Sequence, residues 1–198
     1  MLRSKLSPGT RCALEHGGMA PTFLTESTNL DIASKLLIKG GFYHAGQVCV
    51  SVQRVFVQKN IFDDFLSIFE KNLKPLKIGN PLDKKTEVGP LIRPSEVERV
   101  QEWVNESISA GTSVLCGGKK ISETCFDKTV LINPKFSDKV SKMEIFGPVV
   151  NIYSYDDINK AIEIANDTNV SFQASIFSND IEQTMNFYKK INASAVFH

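Results

Sequence analysis

Apolar β-rich runs and amphipathic helical runs take turns along almost the whole of the 198 residues, and that alternation limits the fold more than any other feature. TRCAL (10–14), PTFLT (21–25), SVQRVFVQ (51–58), SVLCGG (113–118), KTVLIN (128–133), PVVNIYSY (148–155), QASIFS (173–178) and SAVF (194–197) read as strands. Between them, residues 29–43, 60–74, 95–110, 157–167 and 180–191 carry apolar positions at helical spacing. Asn29 is placed to cap the first of these helices, and Gly40 and Gly41 are expected to loosen or end it. Phe62, Phe65, Leu66, Phe69 and Leu73 form one stripe on the second, which predicts a core-facing helix. PLKIGNPLDKKTEVGPLIRP (75–94) reads as a long surface connection. Strand followed by helix, repeated throughout, predicts a single α/β domain over 1–198 around a largely parallel sheet. SPGTRCALE enters a strand almost at once and SAVFH stops in one, so both ends read as cut from a longer chain.

Composition excludes several classes of function. With 23 basic and 22 acidic residues the formal net charge is +1, which offers no field to attract nucleic acid or an anionic membrane. No stretch approaches the roughly 20 apolar residues of a membrane span. The opening MLRSKLSPGT is basic but lacks the apolar core of a secretory signal. Cys12, Cys49, Cys116 and Cys125 have no C-x-x-C spacing and are few for a disulfide scaffold, so a reduced, cytoplasmic protein is expected.

Cys49 stands in GGFYHAGQVCVSVQR (40–54), a small polar break between a helical and a β-rich run. Four readings of it compete. It could be an inert packing thiol, as many free cysteines are. It could pair with His44 as a thiol hydrolase does, although such partners usually converge from distant parts of a chain. It could join Cys12, His16 and His44 around a metal, but their irregular spacing argues against a metal site. Or it is a nucleophile served by a distant carboxylate. Two acids do not sit on solvated helix faces. Glu15 follows TRCAL directly, at what reads as the carboxyl end of a strand, where ligands collect in open α/β sheets. Glu144 lies in KMEIFGPVV, ahead of a turn set by Phe146, Gly147 and Pro148, where an ordinary exposed loop acid is the simpler reading.

Three motifs together resemble the NAD(P)-dependent aldehyde dehydrogenase superfamily, and the likeness extends over essentially the whole chain. LEHGGMAP (14–21) is similar to that family's glutamate motif, GQVCVS (46–51) to its cysteine motif, and EIFGPVV (144–150) to its cofactor motif. They stand in family order, Glu15 and Cys49 being 34 residues apart and Cys49 and Glu144 95 apart. The resemblance implies that Cys49 attacks the carbonyl carbon of an aldehyde substrate and that Glu15 is the general base for the hydrolytic water. It implies that Glu144 binds the nicotinamide-side ribose of NAD or NADP, with Phe146 packed beside it. A three-layer α/β/α catalytic domain follows, and a homo-oligomer for the full-length enzyme.

His16 and Met19 depart from the glutamate motif, which usually has leucine and lysine there. No G-x-G-x-x-G occurs, and nothing matches the family's upstream dinucleotide-binding domain. That domain normally supplies the adenosine and phosphate site and an asparagine that helps the cysteine N–H hold the oxyanion. The chain therefore reads as the catalytic domain alone, inactive by itself. The rival class is a non-catalytic relic or interaction module of the same fold. Retention of Cys49, Glu15 and Glu144 together favours the enzyme.

Overall fold

The computed structural model describes residues 3–198; Met1 and Leu2, which begin the opening segment read above, lie outside the described residues. Seven strands form one sheet: β1 (Thr22–Leu24), β2 (Arg54–Gln58), β3 (Ser113–Cys116), β4 (Thr129–Ile132), β5 (Val149–Tyr155), β6 (Gln173–Phe177) and β7 (Ala195–Phe197). Their spatial order is β3-β4-β5-β2-β1-β6-β7. Every pairing is parallel except the edge hairpin of β3 with β4.

Alternation of side chains along the strands builds two cores. Val55 and Val57 of β2 face one way, with Leu24, Val150 and Ile152. They pack under α1 (Leu30–Phe42), α2 (Phe62–Leu73) and α3 (Pro94–Ser109), whose Leu37, Phe65, Phe69, Val97, Val100 and Val104 are buried. The intervening residues Phe23, Phe56 and Tyr153 face the other way, toward α5 (Ile158–Asn166) and α6 (Ile181–Lys190). There Phe23 stacks on Phe56 with ring centroids 4.7 Å apart, and Phe56 on Tyr153 at 5.1 Å. Such aromatic pairs add to the burial of their large apolar area. The result is the α/β domain around a largely parallel sheet expected from the alternation, in the three-layer α/β/α arrangement that the resemblance implied.

The predicted elements agree with the observed ones except in four places. TRCAL forms no strand: residues 10–21 are irregular, and the first strand of the sheet is Thr22–Leu24. The strand that follows, Thr22–Leu24, is already paired on both sides, by β2 and β6, and the side chains of 10–14 stay exposed. The strand read over 51–58 begins only at Arg54, because Ser51 still belongs to a turn. Helix α1, N-capped by Asn29 through its side chain to the Ile32 N–H, continues through Gly40 and Gly41 to Phe42. A side chain at Gly41 would meet Val150 and the Val52 carbonyl, so the bare backbone is what lets the helix lie on the sheet. One short helix, α4 (Lys139–Lys142), was not foreseen. No described helix is long and apolar enough to cross a membrane.

Candidate active site

Strands β5, β2 and β1 are neighbours in the sheet and run parallel, so the loops that enter them lie side by side at the sheet's amino edge. Those loops carry the three motifs. Glu15–Gly18 precede β1, Gly46–Cys49 precede β2, and Glu144–Phe146 precede β5. This corrects the placing of Glu15 at the carboxyl end of a strand. The residue before it forms no strand, and the edge that collects the motifs is the opposite one.

Each pair of loops is joined by contact at a glycine or across its backbone. The Gly18 N–H donates to Glu144 Oε1 at 2.9 Å, joining the first loop to the third. A Cβ at Gly18 would lie 2.2 Å from the Cys49 carbonyl oxygen, so the first loop rests directly on the second. Gly46, at φ +72°, approaches Gly147 so closely that a Cβ would lie 2.1 Å from the Gly147 carbonyl oxygen. The second loop is thereby seated on the third. Left-handed backbone at His44 and Ala45 continues into Gly46 and turns the chain sharply out of α1. Non-glycine residues in that conformation are strained and persist where the surroundings hold them.

Cys49 occupies the second position of a turn closed by the Ser51 N–H donating to Val48 O at 2.9 Å. The closing bond uses neither its own N–H nor its side chain. The turn is tied to the end of α1 by the Val52 N–H on Gly40 O at 3.1 Å, and by Ser51 Oγ on the Gly40 and Gly41 carbonyls. Upstream, the Gln47 side chain donates to His44 O and Pro90 O and accepts from the Ile92 N–H, fastening the loop to the 75–94 connection. Cys49 is half-buried in this frame. Cys12 is exposed, Cys125 buried, and burial pushes the Cys116 thiol up to about 11, which leaves it little thiolate at neutral pH.

Glu15 and His16 are both exposed on the irregular segment that leads to β1. The His44 ring lies against Tyr43, centroids 3.8 Å apart, and among the described residues no hydrogen bond joins it to Cys49. No group of three or more His, Cys, Asp or Glu that could hold a metal ion is assembled among the described residues. Glu144 is half-buried, with Oε2 facing Gly17. Phe146 is 41% exposed at φ +51°, and lines a pocket of about 730 Å³ with Tyr43, His44, Gln47, Pro90 and Ile92.

Sequence reading missed the part Gln47 plays in holding this frame from within the cysteine motif, and, outside the motifs, Gln53 and Arg99. A buried amide within a β-rich run, as Gln53 is, was the available signal, since it must find partners. The closeness of Gly18 to Cys49 also yields a prediction. Gly18→Ala should force the Cys49 backbone away and lower stability by about 1–3 kcal/mol, the usual cost of overpacking. Thermal unfolding measures it, and an unchanged midpoint would mean that the two loops are not in firm contact.

Comparison with known proteins gives one consistent result. A model of the aldehyde dehydrogenase family matches residues 2–198. The chain is 36% identical over 196 residues to a 3-sulfolactaldehyde dehydrogenase of Priestia aryabhattai, covering 99% of this chain and 41% of that protein. It is 38% identical over 195 residues to a lactaldehyde dehydrogenase of Methanococcus vannielii, covering 98% and 42%. The fold superposes with a TM-score of 0.92, at 36% identity, on the crystal structure of glyceraldehyde-3-phosphate dehydrogenase GapN from Methanocaldococcus jannaschii complexed with NADP. That match covers 99% of this chain and 42% of the other. The chain thus spans about two-fifths of the length of the relatives it matches.

Proposed function

The chain belongs to the aldehyde dehydrogenase family, and from that premise we propose that residues 1–198 are the catalytic domain of an enzyme oxidising an aldehyde to a carboxylic acid with NAD or NADP. The observation that carries the proposal is the meeting of three motif loops at the amino edge of β5, β2 and β1, with a half-buried cysteine between two carboxylate-bearing loops. The reaction starts when Cys49 Sγ, as thiolate, attacks the carbonyl carbon. A C–S bond forms as the π pair moves to oxygen, giving a thiohemiacetal. The Cys49 N–H, unused by its turn, is available to that oxygen. Collapse of the thiohemiacetal to a thioester expels hydride from the same carbon. When bound, the nicotinamide cofactor supplies the acceptor for that hydride. Glu15 then takes a proton from water as the water's oxygen attacks the thioester, and the C–S bond breaks to release the acid and the thiolate.

The residues fit such a cofactor. Gly18 occupies Glu144 Oε1, leaving Oε2 with acceptor capacity for ribose hydroxyls, and Phe146 offers an exposed ring at the pocket edge. They hold one end of a large flexible dinucleotide only. The rest of its site is proposed to lie in the part of the protein that the relatives have and these 198 residues do not include. The four free thiols suit a reducing compartment, and the whole enzyme is proposed to be a cytoplasmic homo-oligomer.

The test is a full-length enzyme assayed with NAD and NADP against a panel of aldehydes that includes lactaldehyde and 3-sulfolactaldehyde, the substrates in the relatives' names. Turnover of at least one is expected, with no measurable turnover by residues 1–198 alone. Two contacts cannot offset the freedom lost on binding the dinucleotide, so calorimetry of the isolated chain should find no micromolar affinity. A full-length protein inert toward the panel would favour the non-catalytic reading. Tight cofactor binding by 1–198 would overturn the division of the site.

A further inference from the structure

The loop bearing Glu144 and Phe146 is gripped by two side chains that belong to none of the motifs. Gln53 is 5% exposed, just ahead of β2. Its Nε2 donates to Val140 O at 3.0 Å and to Met143 O at 2.7 Å, and its Oε1 accepts from the Ile145 N–H at 2.9 Å. On the other side, Arg99 Nη2 donates to Ile145 O at 2.6 Å. The guanidinium is itself fixed, with Nε on Glu96 Oε2 at 2.8 Å and its Cζ over the Trp103 ring, 4.6 Å from the ring centroid. Ile145 stands between Glu144 and Phe146. Its N–H belongs to the peptide that follows Glu144, and its carbonyl to the peptide that precedes Phe146. Both peptides are therefore held, one by Gln53 and one by Arg99.

We infer that Gln53 and Arg99 are positioning residues that set Glu144 and Phe146 toward the cofactor, in register with the nucleophile. This rests on the function proposed above. Gln53 follows Cys49 by four residues, beyond the turn stitched to α1, so one stretch of chain delivers both the thiol and the amide that aims the cofactor loop. A primary amide suits the place because it offers two donors and an acceptor in one plane. Glutamate at 53 would have no donor for the two carbonyls. Methionine would fill the volume and leave Met143 O and the Ile145 N–H without their partner. Val140 O would keep its bond from Asn151 Nδ2 at 2.6 Å.

The full-length enzyme tests this through Gln53→Met and Arg99→Met, with the KM values for cofactor and for aldehyde, kcat, and the alkylation rate of Cys49 measured for each. A loop shifted by about 1 Å can cost up to ~10²-fold, so the cofactor KM should rise roughly 10-fold or more. The aldehyde KM and the alkylation rate should stay within about 2-fold of wild type. Loss of stability alone would lower the amount of active enzyme and leave the cofactor KM of the folded remainder unmoved. A folded variant of either kind with wild-type cofactor KM would overturn the inference. If Gln53→Met does not fold, Arg99→Met decides it, since that side chain is partly exposed. A wild-type enzyme without NAD(P)-dependent oxidation would instead overturn the proposed function. An active wild type with unmoved variants would overturn only the positioning role.

Discussion

Cys49→Ala in the full-length enzyme should remove aldehyde oxidation altogether, the pre-steady-state burst of reduced cofactor together with the steady state. The carbonyl carbon then has no sulfur to bond, and without a thiohemiacetal no carbon is set to release hydride. Removal of a covalent nucleophile elsewhere has cost on the order of 10⁶-fold in kcat, which here would fall below detection. The fold should be spared. Cys49 lies half-buried in a turn whose closing bond runs from Ser51 to Val48, and whose ties to α1 are made by Ser51 and Val52. The unfolding midpoint and the cofactor affinity should therefore stay near wild type while turnover vanishes. Turnover within about 10-fold of wild type would end the assignment of Cys49 as nucleophile and reopen the inert-thiol reading.

Glu15→Gln should leave the first half of the reaction and stop the second. Glutamine keeps the size of the side chain and loses the proton acceptor. The thioester should form once and wait for water, so a burst of reduced cofactor survives and mass spectrometry finds an acyl group on Cys49. General-base assistance is worth ~10²- to 10⁴-fold, and steady-state turnover should fall within that range. The exposed position of Glu15, on an irregular segment ahead of β1, suits a group that must meet water. Near-normal turnover by Glu15→Gln would sink the role. Loss of the burst along with the turnover would move Glu15 to the deprotonation of the thiol and leave Cys49 as assigned.

His16, the departure beside that base, is exposed like Glu15. Solvent is its principal neighbour, as befits a polar residue on an open segment.

Much of the architecture was legible because it is written locally. Phe65, Phe69 and Leu73 recur at helical spacing and are buried as that spacing requires. Val55, Phe56 and Val57 alternate between the two cores as period-two residues must. The side chain of Asn29 caps α1 by a bond three residues long. In each case the partner lies within a few residues or is simply the absence of water. TRCAL misled for the same reason. A short apolar run looks alike whether or not a sheet edge is waiting for it, and here β1, the nearest strand in sequence, already has β2 on one side and β6 on the other.

The three motifs and their order were likewise present in the sequence, and with them the residue types proposed to carry the chemistry. What the sequence did not contain was their side of the sheet. Local pattern reads 21–25, 51–58 and 148–155 as strands, but it does not say that they pair in the order β5-β2-β1, all parallel. That order is a balance of contacts made across long separations, and it alone brings the preceding loops to one edge. Nor could local pattern reveal that Gly18 is bare because the Cys49 carbonyl lies against it, or that Gln53 spends its whole amide on a loop 87 to 92 residues away. A buried polar group must be paired, but which group pairs it is decided only when distant segments meet.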